Sequence, residues 1–394
     1  MPSHWPPLYN TYVDNLLNTC DNQNNIYIEP QLRIFVPNLY QLFSFPIAEK
    51  MEVTADQFQN LMKDIISKDS ETNRVIESMK ILRVSVGKSP NHYQPLILSE
   101  ENAILATCSK LHSIFNESEN NSVTVQELCI LWQFLHNLCV NQTAFCANVW
   151  HTFQAEILQL LELQDSSKLK DVLSAIIFQK LKQDTEFVTE CASTSKILRL
   201  LLNVTVTDKN AVLQFPILVL QELLRNHSAF LAPSIYDDLD HIQKLAMLDI
   251  IAEENVNSLN ENVALFVIAI FKSQANILMT VVKNHEVADP SEVSRILSIL
   301  GTYSYTTTLI PLLQRDKSLL IDAVYLLRMV HDAGKYNPNC IFASIKDMNE
   351  IADKEKMEND PVFGFKRDLI RLVGNMCHKH KSNQDQVRLL ASNK

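Results

Sequence analysis

The stretch AEILQLLELQ, residues 155–164, decides the fold class, because its apolar residues recur at helical rather than alternating spacing. They form one wide stripe on a helix: Ile157, Leu158, Leu160, Leu161 and Leu163. The stretches KILRLLLNV (196–204) and DAVYLLRMV (322–330) have the same pattern, and short polar breaks separate such stretches along the chain. The sequence therefore predicts α-helices almost throughout.

The composition of the 394-residue chain favours the same class. It has only 5 glycines, too few for the turns of a β-rich protein, and its 46% apolar and 20% charged residues are typical of a folded chain. A series of about twenty helices with brief connections is typical of stacked helical repeats. We predict an all-α protein, an α-solenoid of armadillo/HEAT-like helical repeats (an α-α superhelix).

A recurring motif supports that architecture. An apolar-x-Asn-apolar element near a helix end, followed by a polar turn and a second helix, contains Asn137, Asn203 and Asn375. The spacings of 66 and 172 residues between these asparagines give no clean period. The second spacing is nevertheless close to four repeats of about 40–47 residues. The motif indicates repeats without fixing their boundaries.

Charge and composition also limit the partners and the compartment. The net charge of −10, from 35 basic and 45 acidic side chains, argues against a general attraction to nucleic-acid phosphates. The first residues lack the pattern of a signal peptide, and the longest apolar run, 263–271, is too short to span a bilayer. The 8 cysteines lie mostly in helical patterns, as reduced thiols do. We expect a cytoplasmic protein that neither binds nucleic acid nor inserts into a membrane.

Two short motifs could carry chemistry, and neither meets the requirements of its site. GKS (87–89) resembles the end of a phosphate-binding loop, but Leu82 stands where that loop needs its first glycine, so we interpret GKS as a helix-ending turn. CHKH (377–380) lacks the second ligand pair of a zinc site, and its side chains are not spaced as a nucleophile and its base. We predict no catalytic residue, no metal ligand and no cofactor.

The helix predicted in FGFKRDLIRLVGNMC (363–377) has two apolar stripes. One contains Phe365, Leu369, Leu372, Val373 and Met376; the other contains Phe363, Ile370 and Cys377 at intervals of seven. Two stripes predict neighbouring helices on two sides, and Gly374 predicts a close helix crossing. Basic residues form a candidate partner-docking site, here called the basic face: Lys366, Arg367, Arg371, Lys379 and Lys381.

Four stretches carry a family resemblance. FGFKRDLIRLVGNMCHKHKSNQDQV (363–387) and LLRMVHDAGK (326–335) strongly resemble the signature region of the ataxin-10 family of armadillo-type cytoplasmic proteins. FLHNLCVNQTAFCANVWHTF (134–153) and SMKILRVSVGKSPNHYQ (78–94) are similar to that family's N-terminal repeats, in the same order. The resemblance is close over 317–388 and loose between about 154 and 310.

The resemblance implies a non-enzymatic helical-repeat scaffold that self-associates. It implies roles in cytokinesis and in centrosome and basal-body function, and in neurite outgrowth through Ras–MAP kinase signalling. The implied partners are proteins, among them a G-protein β subunit and the O-linked N-acetylglucosamine (O-GlcNAc) transferase. The implied location is the perinuclear cytoplasm, with the centrosome, basal body and midbody. No catalytic residue is carried over from the family.

The resemblance also suggests how the chain is organised. We predict N-terminal helical repeats over 1–231, central helical repeats over 232–346, an acidic loop over 347–360, and the start of an ataxin-10-like C-terminal domain over 361–394. Family members continue beyond the NQDQV turn (383–387), so the last repeat is expected to be truncated. We expect an uncapped end of this kind to fray from Ser382 onward or to be buried by self-association.

Two other functions are weighed against the scaffold. Armadillo arrays also act as cargo adaptors for nuclear import, and those receptors have a Trp-x-x-x-Asn ladder. The residues four before the motif asparagines are Gln133, Arg199 and Arg371, so the ladder is absent. An enzyme with a Cys/His site is the other alternative, and a pocket that brings together Cys, His and acidic side chains would favour it.

Overall fold

The computed structural model describes residues 53–67, 70–117, 122–163, 166–207, 214–253, 261–283, 289–337, 340–343 and 362–392. Every regular element in these ranges is a helix, which confirms the predicted all-α class. The chain divides into two compact units, 1–138 (unit 1) and 139–394 (unit 2). The predicted boundary between 231 and 232 separates groups of repeats rather than compact units, and it stays a prediction.

Unit 1 contains five helices within its described residues. They are α1 (Ala55–Ile66), α2 (Thr72–Lys88), α3 (Pro90–Leu98), α4 (Glu101–Glu117) and α5 (Ser122–Cys139), the last of which ends at the boundary. α1 begins with a capping box in which Thr54 and Gln57 each accept a hydrogen bond from the other's backbone N–H. The GKS motif ends α2, with Ser89 as its C-cap, as predicted for a helix-ending turn.

Unit 1 has a buried polar network between α2 and α5. The Arg83 guanidinium donates a hydrogen bond to Gln133 Oε1, and both side chains are buried. Asn137 Nδ2 donates to the Arg83 carbonyl at 2.9 Å, and Gln94 Nε2 donates to the Asn137 carbonyl at 2.8 Å. Burial lowers the pKa of His136 to about 4, so this histidine is neutral at pH 7. Side chains of the first motif asparagine and its neighbours thus tie three helices together.

The helices of unit 2 form two layers. One layer contains α6 (Thr143–Leu163), α9 (Lys196–Thr207), α12 (His241–Glu253), α14 (Ser291–Tyr303) and α17 (Phe365–Cys377). The other contains α7 (Ser167–Gln183), α10 (Phe215–Asn226), α13 (Glu261–Lys283), α16 (Lys317–Tyr336) and α18 (Lys381–Ser392). Short helices lie between them: α8 (Thr185–Thr194), a 3₁₀ helix (Ser228–Leu231), α11 (Pro233–Asp237) and α15 (Ile310–Arg315).

Contacts within and between these layers are those of stacked repeats. In the first layer, each helix contacts the next, from α6 through α9, α12 and α14 to α17. In the second layer, α7 contacts α10, and α13 contacts α16, which in turn contacts α18. Contacts between the layers include α6 with α7, α9 with α10, and α16 with α17. This packing agrees with the predicted solenoid of helical repeats.

Five polar contacts between helices of unit 2 join residues that are 40–46 positions apart, although the contacts of Glu292 with His241 (51) and Tyr236 (56) have wider separations. The five are Asp171–Gln214 (43), Lys182–Glu222 (40), Asn203–Gln243 (40), Lys272–Asp316 (44) and Asp249–Arg295 (46). Asp171 illustrates their role, because its Oδ1 accepts the backbone N–H groups of Gln214 and Phe215, at the start of α10, at 2.9 Å each. The separations match the predicted repeat length.

The last repeat departs from this separation. Gln314 Nε2 donates to the carbonyls of Asn375 and His378, which are 61 and 64 residues later in the chain. Asn375 Nδ2 donates to Ser304 Oγ across a separation of 71 residues. The chain between α16 and α17 therefore adds residues to this repeat. The predicted acidic loop, 347–360, falls in that stretch and lies outside the described residues.

Helix α13 is long and apolar enough to cross a membrane when only its length and composition are considered. Within Glu261–Val282, an 18-residue window has a mean hydropathy of 1.8, and 44% of that window is buried within the protein. Its buried face packs against α14 and α16. These contacts are those of a core helix in a repeat stack.

The end of the described chain is helical where fraying was expected. α18 covers Lys381–Ser392, and Asn383, in its first turn, is 1% exposed. Asn383 Nδ2 donates to the Gln314 carbonyl at 3.0 Å and to the Met376 carbonyl at 2.9 Å. It thereby satisfies a carbonyl at the end of α17 and holds α18 in place. The expectation that this end frays or is buried by self-association stays a prediction.

We predict that Asn383→Ala destabilises the attachment of α18 by about 2 kcal/mol, because the buried Met376 carbonyl and the partly buried Gln314 carbonyl lose their donor. Hydrogen exchange of the α18 amides, followed by mass spectrometry, should accelerate. The exposed neighbour Ser382 supplies the control, since Ser382→Ala should leave the exchange rates of α18 unchanged. Equal exchange in both variants would contradict the proposed anchor.

Candidate interaction surface

Helix α17 contains Lys366, Arg367 and Arg371 of the basic face, and its apolar pattern determines which side of the helix is buried. Gly364 precedes it with φ = +80°, in the left-handed region that favours glycine. Phe365, Leu369, Leu372 and Met376 are buried and face the neighbouring helices α14 and α16. The first predicted stripe is thus the buried one, and it fixes which side of α17 faces solvent.

The two arginines of the basic face share one carboxylate. Arg367 Nε lies 3.1 Å from Asp368 Oδ1, and Arg371 lies 3.2 Å from the same oxygen. The Asp368 side chain is only 9% exposed, against 58% for Arg367 and 35% for Arg371. The hydrogen bond to Asp368 raises the pKa of Arg367. One buried carboxylate therefore orients two cations and leaves a net charge of +1 on the group.

The same arginines lie against exposed aromatic rings. The Arg367 guanidinium is 5.9 Å from the centre of the Phe363 ring, and that of Arg371 is 5.6 Å from the Tyr305 ring. Tyr305, 66% exposed, follows α14, and sequence reasoning missed it because it lies 66 residues from Arg371. Cation–π contacts of this kind hold the guanidinium groups against the surface.

The three lysines of the basic face have different environments. Lys366 Nζ donates to the Phe342 carbonyl at 2.7 Å, so it anchors the 340–343 segment. Lys379 is exposed in the turn after α17, with φ = +52°. Lys381 pairs with Asp385 at 3.0 Å, and Arg388, which was not among the predicted residues, contacts the same carboxylate at 2.8 Å. The structure thus places Arg367, Arg371 and Lys379 where a partner could reach them.

The second apolar stripe is exposed, and the predicted neighbour on that side is wrong for the described residues. Phe363 is 42% exposed and Ile370 is 60% exposed, while Cys377 is partly buried. The predicted close crossing at Gly374 is also absent, because a Cβ placed there would meet nothing within 4 Å. The described helices pack against α17 only on the side of the first stripe.

The motif asparagines make hydrogen bonds within the protein. Asn137 donates to the Arg83 carbonyl in unit 1. In unit 2, Asn203 Oδ1 accepts from Gln243 at 2.8 Å, and Asn375 donates to Ser304. Since these amides link helices to one another, they are engaged rather than free to bind a peptide, which weakens the nuclear-import alternative.

The sequence of this chain is similar to those of known proteins. Ataxin-10 from Homo sapiens is 26% identical over 275 residues, which cover 66% of this chain and 54% of the human protein. Ataxin-10 from Bos taurus is 26% identical over 289 residues, which cover 69% of this chain and 57% of the bovine protein. The resemblance to the ataxin-10 family is confirmed.

A shorter match is closer in sequence. Ataxin-10 from Xenopus tropicalis is 36% identical over 99 residues, 25% of this chain and 19% of the frog protein. The chain spans about half the length of the mammalian ataxin-10 proteins that it matches. No protein-family model and no solved structure matches the chain. The fold therefore rests on the helix packing described above.

The CHKH motif at the end of α17 lies in the part of the chain that resembles the ataxin-10 signature region. Burial raises the pKa of the Cys377 thiol, which disfavours the thiolate that a nucleophile or a metal ligand needs. His380 Nδ1 lies 3.3 Å from the Asn383 backbone nitrogen, from which it accepts a hydrogen bond. Among the described residues, no group of three or more His, Cys, Asp or Glu side chains could hold a metal ion.

Proposed function

We propose that this chain is a non-enzymatic helical scaffold that binds other proteins. The observation that carries the proposal is the two-layer helix packing of unit 2, with polar contacts between residues that are 40–46 positions apart. Stacked repeats give a rigid surface on which side chains of successive helices can select a partner. The resemblance to ataxin-10 supports the same function.

The cellular roles and partners form the finer part of the proposal. By resemblance to the ataxin-10 family, the scaffold acts in cytokinesis, in centrosome and basal-body function, and in neurite outgrowth through Ras–MAP kinase signalling. Its proposed partners are a G-protein β subunit, the O-GlcNAc transferase and a second copy of itself. Its proposed location is the perinuclear cytoplasm, with the centrosome, basal body and midbody.

Binding of purified proteins tests the proposed partners. The immobilised chain should retain a purified G-protein β subunit or O-GlcNAc transferase, whereas an unrelated helical-repeat protein of similar net charge should retain neither. Sedimentation of the chain at several concentrations tests self-association. If the chain retains neither protein, and proximity labelling in dividing cells finds no centrosomal, midbody or signalling protein, the proposal is wrong.

A further inference from the structure

The solvent side of α17 combines apolar, cationic and glycine surface in one stripe. We call this stripe the outer face and define it by Phe363, Arg367, Ile370, Arg371 and Gly374. Arg367, Ile370, Arg371 and Gly374 recur at three and four residues within α17, so they lie on one side of the helix, opposite the buried Phe365, Leu369, Leu372 and Met376. Phe363 precedes the helix and joins this side through its ring, whose centre lies 5.9 Å from the Arg367 guanidinium. Ile370, which is 60% exposed, lies on this side of the helix, and the two arginines lie together beside it, since both contact Asp368.

Glycine at position 374 distinguishes this face from an ordinary solvated surface. Glycine is unfavourable inside a helix, and no neighbour among the described residues requires it, since a Cβ there would meet nothing within 4 Å. A glycine one turn after an exposed isoleucine leaves a notch in the helix surface. A notch of this kind allows the backbone of a second helix to approach closely.

The charge of this region indicates the chemistry of the partner. Residues 362–380 contain four basic side chains and one acidic side chain, a net charge of +3 in a chain whose total is −10. The acidic one, Asp368, is buried and holds both outer-face arginines in place. A partner with acidic side chains would therefore find two pre-oriented cations together along one side of the exposed Ile370.

We propose that the outer face binds an amphipathic helix of a partner protein, whose apolar stripe is flanked by Asp or Glu. The apolar stripe packs on Phe363 and Ile370, the partner backbone crosses at Gly374, and the carboxylates pair with Arg367 and Arg371. Helix recognition of this kind uses apolar anchors at i, i+3, i+4 and i+7. The inference rests on the proposed scaffold function and assigns it a site and a partner chemistry.

A synthetic peptide provides the probe. We would use a fluorescein-labelled 20-residue helix with leucines at i, i+3, i+4 and i+7 and with glutamates on both sides of that stripe. A matched peptide carries lysine in place of every glutamate. By fluorescence anisotropy, the chain should bind the glutamate peptide at least tenfold more tightly than the lysine peptide. A rise in ionic strength should weaken binding of the glutamate peptide, because the paired charges are exposed.

Variants of the protein locate the binding site. Ile370→Glu places a carboxylate at the apolar centre, and Gly374→Trp fills the notch; each should weaken binding of the glutamate peptide at least tenfold. Ile277→Glu is the matched control, because Ile277 is also an exposed isoleucine on a helix, α13, at 55% exposure. It should leave binding unchanged. Circular dichroism should show the same helix content in all three variants, since each changed residue faces solvent.

Three results would overturn the inference. The first is equal binding of the two peptides or no binding of the glutamate peptide, and the second is equal loss in Ile370→Glu and Ile277→Glu. The third is wild-type self-association that Ile370→Glu abolishes, which would make a second copy the occupant. None of these results bears on the scaffold proposal, which has its own test. If the Ile370→Glu variant still retains the purified partners, they bind elsewhere on the chain.

Discussion

Phe365→Ala is expected to lower the free energy of unfolding of unit 2 by about 3–5 kcal/mol. The Phe365 side chain is 1% exposed, and its ring centre lies 5.2 Å from that of Phe342. Truncation removes buried apolar surface and leaves a cavity beside α14 and α16, which can close only partly. Urea unfolding followed by far-UV circular dichroism should give a lower midpoint with an unchanged slope.

A matched control lies two residues earlier in the chain. Phe363→Ala removes the same side chain from a position that is 42% exposed, so the expected loss is below about 1 kcal/mol. The two variants together test which side of α17 is buried. Similar losses for both would mean that the first and second stripes are equally packed, contrary to the structure.

The helices themselves could be predicted because their period is local. Ile157, Leu158, Leu160 and Leu161, from the stretch 155–164, are all buried at 9% exposure or less, as one wide stripe requires. The repeat architecture could also be predicted, because scarce glycine and brief connections leave few other ways to bury so many helices. Neither inference depends on which helices become neighbours.

The exposure of the second stripe could not be predicted, because it depends on distant neighbours. The first stripe has five apolar residues and the second has three, which favours burial of the first, but both contain a phenylalanine, so the sequence does not show that the second stripe lacks a neighbouring helix. The choice is made by α14 and α16, and through contacts such as that of Asn375 with Ser304, 71 residues away. Local periodicity has no information about a contact of that separation.

The sequence shows the basic face as a cluster of charged residues, but it does not show which group each of them contacts. Lys366 serves the 340–343 segment, and Asp368 links Arg367 to Arg371, because the folded chain brings a carbonyl and a buried carboxylate to them. The buried Arg83 was missed altogether. Charged residues are usually exposed, so sequence patterns assign an arginine within a helix to the solvent side.

Arg83 is the basis of the second large effect. Gln133→Met is expected to lower the free energy of unfolding of unit 1 by about 3 kcal/mol, because a buried guanidinium loses its side-chain acceptor. Arg83 is 6% exposed, and burial lowers its pKa, although a guanidinium remains charged at neutral pH. Urea unfolding measures the loss, monitored by the fluorescence of the fully buried Trp132, in the same helix as Gln133, in a chain whose Trp5 and Trp150 are replaced by Phe.

The double variant separates the cost of an unpaired charge from the cost of altered packing. Arg83→Met combined with Gln133→Met replaces both polar groups by apolar side chains of similar length, and its stability is expected to lie within about 1 kcal/mol of the wild type. Arg83→Met should therefore restore most of the stability that Gln133→Met removes. Two substitutions with independent effects could not give this result, so it would show that the two residues are coupled. Additive losses would show that Gln133 contributes by packing and that the hydrogen bond from Arg83 carries little of the stability of unit 1.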